Sequence, residues 1–197
     1  MSFRKIAVVG LGNVGRLVAT LLHEGGFEVT GVDALLPLLD VPSTCWTGDI
    51  SNAAVAAELL SSVEAVLSCL PYHLNIALAR AAHAAGVHYF DLTEDVPTTN
   101  FIIELSKTAR GLMAPQCGLA RGFVGIVGAS LADGFERCRS IRMRVGALPQ
   151  HPTGLLGYAF NWSPEGVVNE YLNDCEVIEG GVRKLVSPME WLETIYV

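Results

Sequence analysis

Short apolar runs alternate with helical patterns over the first 118 residues of the chain. Runs of this kind, bounded by Gly, Pro or Asp, are typical of parallel strands that are buried on both faces. Predicted strands cover Ile6–Val9, Phe27–Val32, a poorly marked stretch within Cys45–Ile50, Ala65–Leu70, Val87–Leu92 and Leu112–Ala114. Predicted helices cover Val14–Leu22, Ala53–Ser62, Leu74–Ala85 and Thr99–Arg110. The alternation predicts βαβ units and an α/β fold with a Rossmann-type, doubly wound parallel sheet.

The βαβ rhythm stops within Cys117–Gly122, and we place a domain boundary after residue 121. Residues 1–121 are predicted to form the doubly wound domain. Residues 122–197 are predicted to form part of a second, α+β domain with a mixed or antiparallel sheet. A helix is expected at Phe123–Leu131. Polar and apolar side chains alternate along Arg139–Gly146, which is typical of a strand with one solvated face.

A hairpin is predicted near the end of the chain. Cys175–Glu179 and Val182–Val186 flank Gly180-Gly181, a dipeptide typical of two-residue hairpin turns. Upstream of it, Ser163 and Pro164 suit the N-cap and first position of another helix.

Composition limits the classes of partner. The chain has 197 residues, is 51% hydrophobic and 17% charged, and carries a net charge of −7, which disfavours nucleic acid and anionic membranes as partners. No uncharged apolar run approaches the ~20 residues of a membrane span.

The N-terminal residues already belong to the first strand, so we expect no signal peptide. Five cysteines, an odd number without a C-x-x-C pair, predict a reduced, cytoplasmic protein with no disulfide framework. We predict no metal site.

Three glycines follow the first strand in the spacing Gly10-x-Gly12-x-x-Gly15. In a dinucleotide-binding turn the first glycine permits the bend, the second admits the pyrophosphate, and the third lets helix and strand pack closely. The helix that follows would present the backbone N–H groups of Asn13, Val14 and Gly15 to the phosphates. The alternative is a glycine turn in some other α/β protein.

An acid ends the second predicted strand. Asp33 lies eighteen residues after Gly15, where a carboxylate accepts hydrogen bonds from the adenosine ribose. The same carboxylate would repel a 2′-phosphate, and residues 34–40 contain no Arg or Lys to offset it. We therefore predict NAD as the cofactor, with NADP less favoured. The alternative is that Asp33 is a solvated strand end.

Further site candidates follow the carboxyl ends of the other strands, where open α/β sheets bind ligands. Asp49 and Ile50 are predicted near the adenine, although Asp49 or Ser51 could instead cap the next helix. The nicotinamide half is expected to contact Cys69, Leu70 and Pro71. Candidates for a general base are His73, Asp91 and Tyr158. The alternative for His73 is an ordinary exposed residue at the start of the next helix, and the alternative for Tyr158 is a core aromatic.

Several motifs together resemble the saccharopine dehydrogenase-like oxidoreductases, and most of all the lysine 6-dehydrogenase branch, with saccharopine reductase more distant. They are the glycine turn, Leu70-Pro71-Tyr72, Cys117–Gly122, Gly146–Pro149 and Leu156–Val167. The resemblance implies NAD-dependent oxidation of the CH–NH carbon of an amino acid, in a crevice between the two domains. It also implies that Gly146 and Trp162 border the substrate.

The chain departs from the family pattern in two respects. Arg121 occupies a position where proline is expected, and a cation there either grips a substrate carboxylate or is a surface change. Family members continue past residue 197, so we expect a fragment, a truncated form, or a chain that completes its sheet through a partner, most simply as a homodimer. A catalytically inactive dinucleotide-binding module is the alternative function. A semialdehyde dehydrogenase with Cys117 as nucleophile is a third.

Overall fold

The computed structural model describes residues 3–35, 42–146, 149–151, 168, 171–190 and 194. The strands are β1 Lys5–Val9, β2 Glu28–Asp33, β3 Thr44–Thr47, β4 Ala65–Ser68, β5 His88–Asp91, β6 Met113–Ala114, β7 Cys175–Glu179 and β8 Val182–Val186. The helices are α1 Asn13–Glu24, α2 Ala53–Ser62, α3 Tyr72–Ala85, α4 Val96–Ser106, a π-helical turn Leu119–Phe123, and α5 Val124–Ala132. The predictions at Tyr158, Trp162 and Ser163 lie outside the described residues.

Within the described residues, β1 to β6 form one parallel sheet in the order β3-β2-β1-β4-β5-β6. This is the strand order of a dinucleotide-binding fold: β2 and β3 are added on one side of β1, and β4 to β6 are added on the other side, so the order reverses between β1 and β4. The predicted α/β fold class is therefore confirmed. The carboxyl end of β1 at this reversal point leads into the glycine turn.

Both faces of the sheet are covered, as a doubly wound sheet requires. Alternate residues of β1 point to opposite sides: Ala7 and Val9 join a large cluster that contains residues of α2, α3 and α4, whereas Val8 joins a smaller cluster with Ala19 of α1. All three β1 residues are essentially inaccessible to solvent. A continuous apolar run, rather than an alternating one, is what burial on two faces demands.

The apolar side chains of α1 are only partly buried. Val18 and Leu22 pack against the smaller cluster, but Val14, Leu17 and Leu21 are 49%, 58% and 56% exposed. At 3.6 residues per turn the two groups form adjacent halves of one apolar face, and only the half with Val18 and Leu22 packs on the sheet. One apolar stripe is therefore enough to dock α1 on the sheet.

Two helix termini differ from the predictions. Neither Asp49 nor Ser51 caps α2: the cap is Asn52, whose side chain accepts from the Ala54 N–H at 2.9 Å, while Asp49 accepts from the Ser51 N–H in the preceding turn. Helix α4 starts and ends earlier than Thr99–Arg110. Its first turn accommodates Pro97, since N–H groups there have no intrahelical acceptor. Residues 107–109 donate to carbonyls three residues earlier, so the helix tightens and stops.

The predicted strand at Arg139–Gly146 is wrong: this segment has no regular secondary structure. Its alternation suits a strand, but no described strand forms a ladder with it, and a strand without a ladder partner does not form. The hairpin is confirmed with its predicted bounds, as β7 and β8 pair antiparallel from Cys175–Val186 to Glu179–Val182. Gly180 and Gly181 have φ of 61° and 77°, the left-handed conformation that the turn needs.

The chain divides into two compact units, residues 1–93 with 97–145 and residues 94–96 with 146–197. The first contains the parallel sheet and α5, and the second contains the hairpin. The boundary after residue 121 stays a prediction. Among the described residues, none of the helices has the length and apolar character needed to cross a membrane. The cytoplasmic location and the homodimer also stay predictions.

Candidate functional site

The glycine turn joins β1 to α1 and is closed by backbone contacts that exclude side chains. Gly10 has φ of +89°, and a Cβ there would lie 2.9 Å from the Cys69 carbonyl oxygen. A Cβ on Gly15 would lie only 1.8 Å from the carbonyl oxygen of Gly10. The Gly10 N–H donates to Val32 O at 2.8 Å, which ties the turn to β2. The first and third glycines are thus required by the packing of helix on strand.

The second glycine borders open space. Gly12 is the N-cap of α1, and a Cβ on it would meet nothing within 4 Å. No side chain caps the N-terminus of α1 through a hydrogen bond, and the first turn of α1 contains no acidic residue. The first N–H groups of a helix have no intrahelical partner, so those of Asn13, Val14 and Gly15 face this space with the positive end of the helix dipole. The residues present therefore fit a pyrophosphate.

Asp33 lies at the end of β2 and contacts the glycine turn directly. Its Oδ2 accepts from the Leu11 N–H at 2.6 Å, and its Oδ1 accepts from the Leu35 N–H at 3.0 Å. The side chain is half-buried. Each carboxylate oxygen has a second lone pair, so the group can hold the turn and still accept from ribose hydroxyls.

Sequence reasoning missed Arg16. The guanidinium of this residue lies over the first turn of α1, where it donates to Asn13 Oδ1 at 3.0 Å and to Gly12 O at 3.4 Å. It therefore adds a positive charge next to the space that Gly12 leaves open. The signal was its position four residues after Gly12, which places the two on one side of the helix.

The two residues predicted near the adenine have different environments. Asp49 is exposed, and hydrogen bonds from Ser51 lower the pKa of its carboxyl. Ile50 is 9% exposed and packs in the large core cluster, which leaves little of its side chain for a ligand.

The carboxyl end of β4 brings Cys69, Leu70 and Pro71 next to the glycine turn. The Cys69 N–H donates to Val9 O at 2.8 Å, and burial raises the pKa of its thiol to about 12. Leu70 packs against the large core cluster, and Pro71 is the exposed N-cap of α3. The Cys69 backbone forms one wall of the turn through its close approach to Gly10.

Asp91, at the end of β5, is fully buried and fully engaged. Its Oδ2 accepts from the Tyr89 hydroxyl at 2.9 Å, and its Oδ1 accepts from the N–H groups of Thr93 and Gln116 at 3.0 and 3.1 Å. Burial raises the pKa of Asp91, although these three donors oppose the shift. The carboxylate therefore acts on its own chain in this structure, by fixing the segment that follows β6.

The buried polar network continues to β4. Ser68 donates to Asn75 Oδ1 at 2.7 Å, and both residues are 1% exposed. The Tyr89 hydroxyl lies 3.4 Å from Asn75 O, so the network runs beneath the carboxyl ends of β4 and β5. Burial and the nearby Asp91 raise the pKa of Tyr89, which keeps its hydroxyl a donor.

The other candidates lie at the surface. His73 is exposed in the first turn of α3, with its ring edge-on to Tyr72 at 5.9 Å. Arg121 is exposed within the π-helical turn, a type of helix that is frequent at functional sites. Gly146 belongs to the second unit, and a Cβ on it would meet nothing within 4 Å.

Cys117 lacks the environment of an activated nucleophile. Its thiol donates to Ala114 O at 3.3 Å, and burial together with the charge of Asp91 raises its pKa. A nucleophilic thiol requires a lowered pKa, and no described histidine contacts this one.

The fold agrees with that of a solved saccharopine dehydrogenase. Apo saccharopine dehydrogenase (L-Glu forming) from Saccharomyces cerevisiae is 17% identical over 93% of this chain and 44% of its own, with a TM-score of 0.58. UDP-N-acetylglucosamine 3-dehydrogenase from Acidithiobacillus ferrooxidans is 21% identical over 58% of this chain and 38% of its own, with a TM-score of 0.44. The chain thus spans less than half the length of either protein.

Two family models match consecutive parts of the chain. The saccharopine dehydrogenase NADP binding domain matches residues 6–114, and the saccharopine dehydrogenase C-terminal domain matches residues 118–197. The first match ends at β6 and contains the glycine turn, Asp33 and Asp91. The chain therefore belongs to the saccharopine dehydrogenase family, an oxidoreductase-like family with a domain that binds a nicotinamide dinucleotide.

Proposed function

We propose that this chain belongs to an NAD-dependent oxidoreductase that acts on the CH–NH carbon of an amino acid, as lysine 6-dehydrogenase or saccharopine dehydrogenase does. The observation that supports it best is the coupling of the glycine turn to an acid: Asp33 Oδ2 accepts from the Leu11 N–H at 2.6 Å. This contact links the acid that we propose to bind the ribose to the turn that we propose to bind the pyrophosphate.

The chain's own residues bind and orient the dinucleotide. The N–H groups at the start of α1 bind the pyrophosphate, and Arg16 adds a positive charge beside it. Asp33 accepts from the adenosine ribose. The bound cofactor supplies the hydride-accepting ring, which such chemistry requires.

We propose NAD as the preferred cofactor, although the matching family model is described as NADP-binding. A 2′-phosphate would approach the Asp33 carboxylate, whose charge repels it. Asp33→Asn keeps an oxygen that can accept from Leu11 but removes that charge. We expect it to lower the NAD-over-NADP affinity ratio about tenfold or more, measured by titration with both reduced cofactors. Tighter binding of NADP by the unaltered chain would contradict the preference.

We propose Arg121 as the group that binds the substrate carboxylate. It is exposed, and it follows the segment that Asp91 fixes through the Gln116 N–H. Guanidinium groups bind carboxylates with two parallel hydrogen bonds, which a lysine or a neutral residue does not reproduce. Arg121→Gln should therefore raise KM for the amino acid far more than it lowers kcat.

Hydride departure from an amine carbon requires a neutral amine and hence a proton acceptor. Of the candidates that the structure describes, His73 is exposed at the carboxyl end of the sheet, while Asp91 is enclosed by three donors. We propose His73 as the acceptor and Asp91 as a positioning residue. His73→Gln should lower kcat far more than it changes KM for the amino acid, and an unchanged kcat would contradict this role.

The decisive experiment is a test of turnover. The chain is incubated with NAD and a panel of amino acids that includes lysine and saccharopine at alkaline pH, and NADH is followed at its absorbance band. Asp33→Asn, in which the preference for NAD should be weakened, tests whether any NADH formation depends on the proposed cofactor site. NADH formation with one amino acid supports the dehydrogenase. Binding of NAD without turnover across the panel would favour the alternative, a module that only binds the dinucleotide, which the family assignment does not favour.

A further inference from the structure

The turn after β6 contains a residue in an unfavourable conformation. Gln116 has φ of +62°, a left-handed value that side-chain-bearing residues rarely adopt. Such residues persist where the surrounding structure holds them, and they concentrate at ligand-binding and catalytic sites. The position therefore calls for an explanation in terms of both structure and function.

Asp91 supplies the structural part. Its Oδ1 accepts from the Gln116 N–H at 3.1 Å, and its backbone oxygen accepts from the Cys117 N–H at 2.7 Å. Downstream, a Cβ on Gly122 would lie 2.7 Å from the carbonyl carbon of Cys117, so the π-helical turn also packs tightly against this segment. The backbone of Gln116 is thus fixed to the carboxyl end of β5.

The side chain of Gln116 has no such partner. Its Nε2 is one of two buried side-chain polar atoms without a hydrogen bond among the described residues, the other being Thr99 Oγ1. A buried donor left unpaired is costly, and native proteins rarely retain one without a ligand, an ion or a water. Gln116 as a whole is only half-buried, so part of the residue remains accessible from solvent.

The location identifies the ligand chemistry. In this fold the adenosine half of a dinucleotide binds over β1 and β2, and the nicotinamide half binds over the strands on the other side of the reversal point. Gln116 follows β6 and is fixed to β5, which belong to that other side. The acceptors available there are the ribose hydroxyls and the carboxamide oxygen of nicotinamide riboside, which a neutral amide donor matches.

We propose that the Gln116 side-chain amide donates a hydrogen bond to the nicotinamide riboside half of the cofactor. The inference rests on the proposed dinucleotide function and adds to it a specific contact. Asp91 holds the turn that presents the amide, which gives the buried carboxylate a positioning role. The unpaired donor of the ligand-free chain then acquires its partner on binding.

The test compares two ligands that differ only in the half at issue. NADH and ADP, which lacks the whole nicotinamide riboside, are titrated calorimetrically into the unaltered chain, Gln116→Met and Gln116→Gly. Methionine has a similar length without the amide, and glycine also relieves the left-handed strain. We expect both variants to weaken NADH binding about threefold to tenfold and to leave ADP binding unchanged. We also expect the melting temperature of the ligand-free chain to stay the same or rise.

The opposing outcomes are separable. Equal losses for NADH and ADP, or an unchanged NADH affinity, refute the Gln116 contact while the dinucleotide function stands. A lower melting temperature in both variants with no selective loss of NADH affinity shows instead that the amide serves an internal structural role, for example through a trapped water. If the unaltered chain binds neither ligand, the proposed function and the Gln116 contact fail together.

Discussion

Replacing Gly15 by alanine tests whether the glycine turn is built as the structure shows. The added Cβ would lie 1.8 Å from Gly10 O, whereas ordinary contacts begin near 3.4 Å. The obstacle is a backbone oxygen, so no side-chain rotation relieves it, and α1 must move away from β1. Overpacking of this kind costs about 1–3 kcal/mol or more in the free energy of unfolding. We expect Gly15→Ala to lose that stability and to lose dinucleotide binding as well.

Gly12→Ala separates binding from stability. A Cβ on Gly12 meets nothing within 4 Å, and the backbone there, with φ of −66°, is open to alanine. The free energy of unfolding should change by less than about 0.5 kcal/mol. The methyl group would, however, occupy space that the pyrophosphate needs. Loss of one hydrogen bond to a charged group, worth about 1.5–3 kcal/mol, corresponds to roughly a 10- to 150-fold weaker affinity for NADH.

Gly125→Ala is the matched control. It lies in α5, where a Cβ also meets nothing within 4 Å, and it should gain about 0.5–1 kcal/mol from helix propensity without changing NADH affinity. All three variants are compared by chemical denaturation and by NADH titration. If Gly12→Ala binds NADH as tightly as the unaltered chain, the pyrophosphate does not approach this turn, and the site assigned here is wrong.

Three further substitutions or modifications probe the charges and thiols around the site. Arg16→Gln should weaken NADH binding about two- to fivefold at low ionic strength. The difference in NADH affinity between the two chains should vanish near 1 M salt, because salt screens the charge of an exposed guanidinium. A difference in affinity that does not depend on salt would contradict a charge effect. Burial raises the pKa of Asp91, so the folded chain binds the proton of this carboxyl more tightly than the unfolded chain does. Relative to Asp91→Asn, the free energy of unfolding of the unaltered chain should therefore fall as pH rises from about 3.8 through the raised pKa. Parallel curves of stability against pH for the two chains would refute this. Cys69, whose thiol has a pKa raised to about 12, should resist iodoacetamide at pH 8 until denaturant is added, whereas the exposed Cys138 and Cys175 react, as peptide mass spectrometry would show.

Local patterns predicted those parts of the fold that depend on neighbouring residues. The bounds of α2 and of both hairpin strands follow the sequence, since a run of helix formers and a Gly180-Gly181 turn act over a few positions. The segment 139–146 shows the limit of such reasoning. Alternation predicts which face of a strand is wet, but a strand also needs a partner, and no local signal says whether one is present.

In the candidate site, too, local spacing predicted some features, whereas others depend on residues that are distant in sequence. The glycine turn and Asp33 are separated by α1 and β2, and their spacing alone is enough to predict the roles proposed for them. Asp91 was predicted as a candidate base because acids at strand ends face ligands. Strand alternation already places Asp91 on the same face as Tyr89, and the hydroxyl of that buried tyrosine donates to it.

The Gln116 N–H, twenty-five residues away, supplies another donor, and only the return of the chain through β6 brings it there. A carboxylate with three donors contributes to the stability of its turn as well as to any activity that the turn supports. Loss of turnover in Asp91→Asn would therefore not identify a base. An unaltered kcat with a raised Kd for NADH would identify a positioning residue, because a base acts on the reaction rate and a held turn acts on binding.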